Sequence, residues 1–165
     1  MPFYSNRRAV LLSGIAALTV TSTPRRAYAA TTHEVQMLNV DPDDKSRRQI
    51  FLPRILVVEP GDTVKFVSTD RSHNSASVDG MIPEGAEEWN GRINEDVEVT
   101  FDLPGLYGYQ CTPHATLGMV GLVIVRGDGV TDNLEVAQSV RQRGRAQQAW
   151  DEIWAEVAEM EDLTG

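Results

Sequence analysis

The sequence contains a single cysteine, Cys111, among its 165 residues. A disulfide within the chain is therefore excluded. In an oxidising compartment an unpaired thiol calls for an explanation, because free thiols are reactive there. Metal ligation is one explanation, since a coordinated thiolate is neither free nor exposed, and burial as an inert core residue is the other.

Long apolar runs are also absent. The apolar stretch at residues 9–20 is shorter than the ~20 residues that a membrane-spanning helix needs. Two arginines at residues 7–8 precede this stretch and Ala27-Tyr28-Ala29 follows it, which is the arrangement of an export signal with a small-x-small cleavage site. We therefore predict that residues 1–29 are a signal peptide and that the mature chain begins at Ala30. The paired arginines fit the twin-arginine route and general Sec export explains the same segment, so both routes stay open.

Lysine is scarce, and Lys45 and Lys65 are the only two in the sequence. Without residues 1–29 the chain keeps 11 basic and 24 acidic residues, a net charge of −13. This balance argues against nucleic acid as a partner, because phosphate binding needs a basic face. Three interpretations stay open: long-range attraction to a basic partner, a surface that is merely soluble, or adaptation to a saline habitat.

Short strand patterns fill most of the chain after residue 30. Apolar and polar residues alternate at 63–68 and again at 97–101, and turn signals such as Pro60-Gly61-Asp62 separate the strands. Residues 70–94 are polar with little periodicity and are interpreted as a long connection. Several short strands with turns between them predict an all-β sandwich.

The periodicity changes after residue 130. Asp132 and Glu135 have the spacing of a capping box, which predicts a short helix. A second helix is predicted from apolar residues three and four positions apart, namely Ala146, Trp150, Ile153, Val157 and Met160. Packing against an open face of the sandwich is the favoured interpretation of this stripe, and binding of a partner is the alternative. Residues 30–165 are thus predicted to form one domain, with a helical extension at 131–165.

One loop carries the chemically informative residues. Cys111, His114 and Met119 lie at positions i, i+3 and i+8, between a predicted strand that ends at the cysteine and one that begins at the methionine. Thiolate, imidazole and thioether together suit copper, and a trigonal copper site needs a second histidine. His73, at the opening of the long connection, is the candidate, whereas His33 lies in a polar stretch and is interpreted as a surface residue.

Other chemistries fit these residues less well. Structural zinc takes four cysteine or histidine ligands, and methionine is a poor zinc donor. A Cys–His hydrolase places its pair on separated elements with an orienting carboxylate or amide, which would leave Met119 without a role. The loop is therefore interpreted as a copper site in a protein that is not an enzyme.

The same residues and their surroundings resemble the pseudoazurins, a branch of the blue-copper cupredoxins. The resemblance covers essentially the whole predicted mature chain and implies an eight-stranded Greek-key sandwich with one type 1 copper ion at one end. It implies copper ligation by His73, Cys111, His114 and Met119, with both imidazoles binding through Nδ1 and Asn74 tying its loop to Thr112. The segments that carry it include Val35-Gln36-Met37-Leu38-Asn39, Pro60-Gly61-Asp62-Thr63-Val64, Ser72-His73-Asn74, Gly80-Met81-Ile82-Pro83-Glu84-Gly85-Ala86-Glu87, Cys111-Thr112-Pro113-His114, Gly118-Met119-Val120-Gly121 and Asn133-Leu134-Glu135.

The resemblance also implies a function. It implies a monomeric periplasmic carrier that passes single electrons from a cytochrome donor to a reductase such as copper nitrite reductase. Pro113, Ala115 and Leu117 would form a small apolar docking patch. Copper storage or delivery is the alternative function. Pseudoazurins usually surround the copper end with lysines, whereas this chain keeps one positive position, at Arg71, so the usual partner is left open.

Overall fold

Two four-stranded sheets form the body of the computed structural model, which describes residues 29–160. The predicted signal peptide, apart from Ala29, lies outside the described residues. The first sheet has the order β2-β1-β4-β6 and the second has the order β3-β8-β7-β5. The strands are β1 (Thr32–Val40), β2 (Arg48–Leu52), β3 (Ile55–Val58), β4 (Asp62–Val67), β5 (Ala76–Ser77), β6 (Val97–Phe101), β7 (Gly105–Gln110) and β8 (Val120–Val125).

The alternation along each strand explains how the sheets pack. In β4, Val64 and Phe66 point into the space between the sheets, where they join residues of β7 and β8 in one apolar cluster. All six residues of β8 are buried, because this strand has a core on each of its faces. Val123 and Val125 belong to the core between the sheets, and Leu122 belongs to a second core on the outer face. The predicted β-sandwich is therefore confirmed.

Two helices, α1 (Leu134–Ser139) and α2 (Arg145–Ala158), cover the outer face of the second sheet. Four of the five residues of the predicted stripe are confirmed as core, since the buried residues of α2 are Ala146, Trp150, Ile153 and Val157. The fifth, Met160, lies beyond the end of the helix and is half-buried. The capping box is wrong: Asn133 precedes α1 without a side-chain cap, and its side chain instead bonds the backbone N–H and C=O of Leu106 in β7. Within residues 29–160, no helix is long and apolar enough to cross a membrane.

The connection between β4 and β6 is largely irregular, as predicted, but it contains the unpredicted strand β5. Ala76 pairs with Gln110 and Ser77 pairs with Tyr109. A two-residue strand is too short for a periodic pattern, so it is specified by its partner strand and not by its own sequence. The pairing matters because it holds residues 73–75 beside the end of β7, where Cys111 follows.

Candidate metal centre

The four predicted ligands lie at one end of the sandwich, in the loops that connect its strands. His73 is in the loop after β4, Cys111 directly follows β7, and Met119 directly precedes β8. Backbone hydrogen bonds close the loop between the last two, because the amide of Cys111 donates to the carbonyl of Met119 and the amide of His114 donates to that of Cys111, both at 3.0 Å. Gly118, with φ of 95°, ends the single 3₁₀ turn in between, in a conformation that favours glycine.

Three donor atoms converge at this end. The Sγ atom of Cys111 lies 3.6 Å from Nδ1 of His73 and 3.4 Å from Nδ1 of His114, and the two Nδ1 atoms are 3.1 Å apart. The centre of this triangle is about 2 Å from each atom, close to the distances of about 2.0–2.3 Å at which imidazole and thiolate bind a metal ion. Met119 is fully buried in the same apolar cluster as Cys111. The donor set of two nitrogens, one thiol and a neighbouring thioether therefore fits copper.

Burial controls the charge of this cluster. Desolvation, together with the nearby His114, lowers the pKa of His73. Desolvation also raises the pKa of the Cys111 thiol, against weaker opposing hydrogen bonds from Asn74 and His114. Without a cation, the surroundings favour a neutral thiol and a neutral His73. A bound metal ion reverses this preference for the thiol, because coordination deprotonates it outright.

Asn74 joins the two loops that carry the donors. Its Nδ2 donates to the carbonyl of Gly91 at 2.9 Å and to Oγ1 of Thr112 at 3.1 Å, and its Oδ1 accepts from the amide of Thr112 at 2.8 Å. The contact with Thr112 confirms the role that the resemblance implied. Since Asn74 is buried, these bonds fix the loop of His73 against the loop of Cys111.

Replacing Asn74 with alanine is expected to lower the free energy of unfolding of the metal-free protein by about 1–3 kcal/mol, because three part-buried hydrogen bonds to Gly91 and Thr112 are lost. Asn90→Ala is a matched control, since Asn90 lies in the same connection and is exposed. Urea unfolding followed by circular dichroism measures both changes. Equal losses in the two variants would contradict the bridging role of Asn74.

Asn39 is a site residue that the sequence analysis did not single out, although it lies in one of the pseudoazurin-like segments. The Nε2–H of His73 donates to Oδ1 of Asn39 at 3.0 Å, which leaves Nδ1 of His73 free to face Cys111. Asn39 is held in turn by Asp70, whose carboxylate accepts a hydrogen bond from the backbone N–H of Asn39 at 2.7 Å. No local pattern signals this role, since it depends on the end of β1 meeting the loop after β4.

His33 is not part of the centre. It lies at the start of β1, whereas Asn39 lies near the end of that strand, about 20 Å away at the usual rise per residue. Its Nε2 lies 2.9 Å from the carboxylate of Asp62, and its side chain is half-buried. His33 is therefore less exposed than the surface position predicted for it. Of the two histidines outside the loop, His73 is therefore the one whose ring lies beside Cys111.

Comparison with known proteins places this geometry in a family. The family model of copper binding proteins, plastocyanin/azurin family, matches residues 38–126. A pseudoazurin of Paracoccus pantotrophus is 42% identical over 147 residues, which are 89% of this chain and 96% of that protein. The crystal structure of pseudoazurin from Methylobacterium extorquens AM1 matches with a TM-score of 0.70 at 38% identity, over 76% of this chain and 98% of that one. Pseudoazurin from Hyphomicrobium denitrificans matches with a TM-score of 0.69 at 36% identity, over 79% and 99%.

Proposed function

The chain belongs to the pseudoazurins, within the plastocyanin/azurin family of copper-binding proteins, and from that membership we propose that His73, Cys111, His114 and Met119 hold its copper ion. The protein is a blue-copper electron carrier with one type 1 copper ion per chain. When bound, copper supplies a one-electron couple between Cu(I) and Cu(II). The observation that supports the ligand assignment best is the convergence of one thiol and two Nδ1 atoms on a single point.

The protein contributes a cage that changes little during electron transfer. His73 and Cys111 are fully buried, and Asn39 and Asn74 hold the loops that carry them. Such preorganised ligands do not need to move between the two redox states. His114 is only half-buried, so its edge is the route by which an electron leaves towards a partner.

We propose that the protein works in the periplasm, after removal of residues 1–29 from a single domain at 30–165. There it would pass electrons from a cytochrome donor to a reductase such as copper nitrite reductase. Transient carriers of this kind typically bury less than ~1,200 Å² on contact. N-terminal sequencing of the exported protein tests the cleavage site, and a start far from Ala30 would refute it.

Electron transfer and copper delivery make different predictions for the purified copper protein. A carrier is expected to be reduced and reoxidised repeatedly without losing its metal, because two of the three converging donors are fully buried. Stopped-flow mixing of the reduced protein with copper nitrite reductase measures electron exchange, and mixing with a metal-free copper acceptor measures metal transfer. Rapid metal transfer without electron exchange would support delivery and refute the carrier function.

A further inference from the structure

Asp70 attaches the loop that carries His73 to the end of β1. The parallel pairing of β1 with β4 stops where β4 ends. Beyond that point, the backbone N–H of Asp70 donates to the carbonyl of Met37 at 3.0 Å, and the carboxylate of Asp70 accepts the backbone N–H of Asn39 at 2.7 Å. Asp70 therefore continues the hydrogen bonds of the sheet, with a carboxylate in the place of a backbone carbonyl.

A neutral side chain would be enough for this geometry. The Oδ1 atom of an asparagine accepts a backbone N–H as a carboxylate oxygen does, so the negative charge of Asp70 is not needed to continue the sheet. No cation compensates the charge either: among residues 29–160, no lysine, arginine or histidine lies within salt-bridge distance of Asp70. Because Asp70 is half-buried, salt screens its charge less than it screens the charges of fully exposed acids.

The charge of Asp70 lies close to the metal centre. Asn39, which the carboxylate holds through its backbone, accepts the Nε2–H of His73 with its side chain at 3.0 Å. Nδ1 of the same ring faces Sγ of Cys111. One residue and one imidazole ring therefore separate the carboxylate from the point where the donors converge. Within residues 29–160, no other carboxylate bonds Asn39 or Asn74, the two residues that hold the ligand loops.

We propose that Asp70 shifts the redox equilibrium of the copper ion towards Cu(II). Cu(II) carries one more positive charge than Cu(I), so a carboxylate in a fixed position stabilises the oxidised ion more. The hydrogen bond from Asn39 fixes that position relative to His73, and Asp70 is in this sense a positioning residue that does not touch the metal. The proposal rests on the copper ligands proposed above. Its consequence is that the reduced protein gives up its electron more readily.

Asp70→Asn removes the charge and keeps an acceptor for the N–H of Asn39. At a separation on the order of 10 Å and an effective dielectric constant between about 20 and 80, one unit charge shifts such an equilibrium by about two- to fifteenfold. At the same electrode potential, the ratio of Cu(I) to Cu(II) is therefore expected to be at least about threefold higher in Asp70→Asn than in the unchanged protein. Threefold corresponds to a rise of about 30 mV in the one-electron reduction potential. Visible spectra recorded at fixed electrode potentials measure the ratio.

Asp96→Asn is the matched control, because it makes the same change of net charge beside the end of β4. The carboxylate of Asp96 also accepts a backbone N–H, that of Ser68, but it is exposed and is paired with Lys65 at 3.3 Å. The ratio of Cu(I) to Cu(II) in this variant should stay within about 1.5-fold of that in the unchanged protein. Equal shifts in the two variants, or no rise in Asp70→Asn, would overturn the proposal.

Two further measurements separate redox tuning from support of the fold. In the metal-free protein, the backbone N–H of Asn39 should exchange with solvent at least about tenfold faster in Asp70→Ala, which offers no acceptor, than in Asp70→Asn or the unchanged protein. Equally fast exchange in all three would remove the hydrogen bond on which the proposal depends. Loss of the visible absorption in Asp70→Asn would assign Asp70 a structural role and would also overturn it. The electron-carrier function fails on a different result, namely an unchanged copper protein that lacks the absorption or cannot be reversibly reduced.

Discussion

Replacing Cys111 with serine is expected to abolish the intense visible absorption of the copper-loaded protein. The colour of a blue-copper site depends on a thiolate bound to the metal, and a serine hydroxyl is a neutral, harder donor that copper does not deprotonate in the same way. Cys111 is the only cysteine in the chain, so no other thiol can replace it. The measurement is the visible spectrum of both proteins after loading with one equivalent of copper.

Two controls separate loss of the thiolate from loss of the fold. Serine is close to cysteine in size, so circular dichroism of metal-free Cys111→Ser is expected to match that of the unchanged protein. His33→Gln is expected to keep the colour, whereas His73→Gln loses it. Of these two histidines, only His73 lies beside Cys111, and His33 is paired with Asp62. Survival of the colour in Cys111→Ser would remove Cys111 from the centre.

The difference between these histidines also shows what sequence can predict of such a centre. Cys111, His114 and Met119 belong to one short loop between two strands, and local spacing is enough to bring them together. Of the two remaining histidines, the place of His73 in the chain and the resemblance to the pseudoazurins indicate His73. Asn39 was not singled out, because its hydrogen bond to His73 joins residues 34 positions apart.

Charge was the least predictable property, for a related physical reason. Composition gives the sum of the charges, but a partner responds to their positions within a Debye length. Arg48 and Arg145 are nearly 100 residues apart in the sequence and line one groove beside the ligand loop. Only the packing of α2 on the sandwich brings them together, and among residues 29–160 no carboxylate lies within salt-bridge distance of either one.

That packing depends on Trp150, and replacing it with alanine is expected to lower the free energy of unfolding of the metal-free protein by about 3–5 kcal/mol. The indole is 1% exposed in the second core and packs against Gly108 of β7. Its loss would leave a large cavity between α2 and the second sheet. Urea unfolding followed by circular dichroism measures the change, because this signal does not depend on the removed chromophore.

Trp154→Ala is the matched control, since the two rings stack with centroids 5.3 Å apart but Trp154 is only half-buried. Its loss should cost about 1–2 kcal/mol, because less apolar area is removed from contact. Trp150→Phe should also lower the free energy of unfolding less than Trp150→Ala does, because phenylalanine keeps an aromatic ring in the core. It also removes the indole N–H, which is buried without a hydrogen-bond partner among the described residues. Burying such a group costs about 1–3 kcal/mol. Equal losses at positions 150 and 154 would mean that α2 is not anchored by its buried face. The ligand loop would then lack the support that holds Gly118 against Ala149.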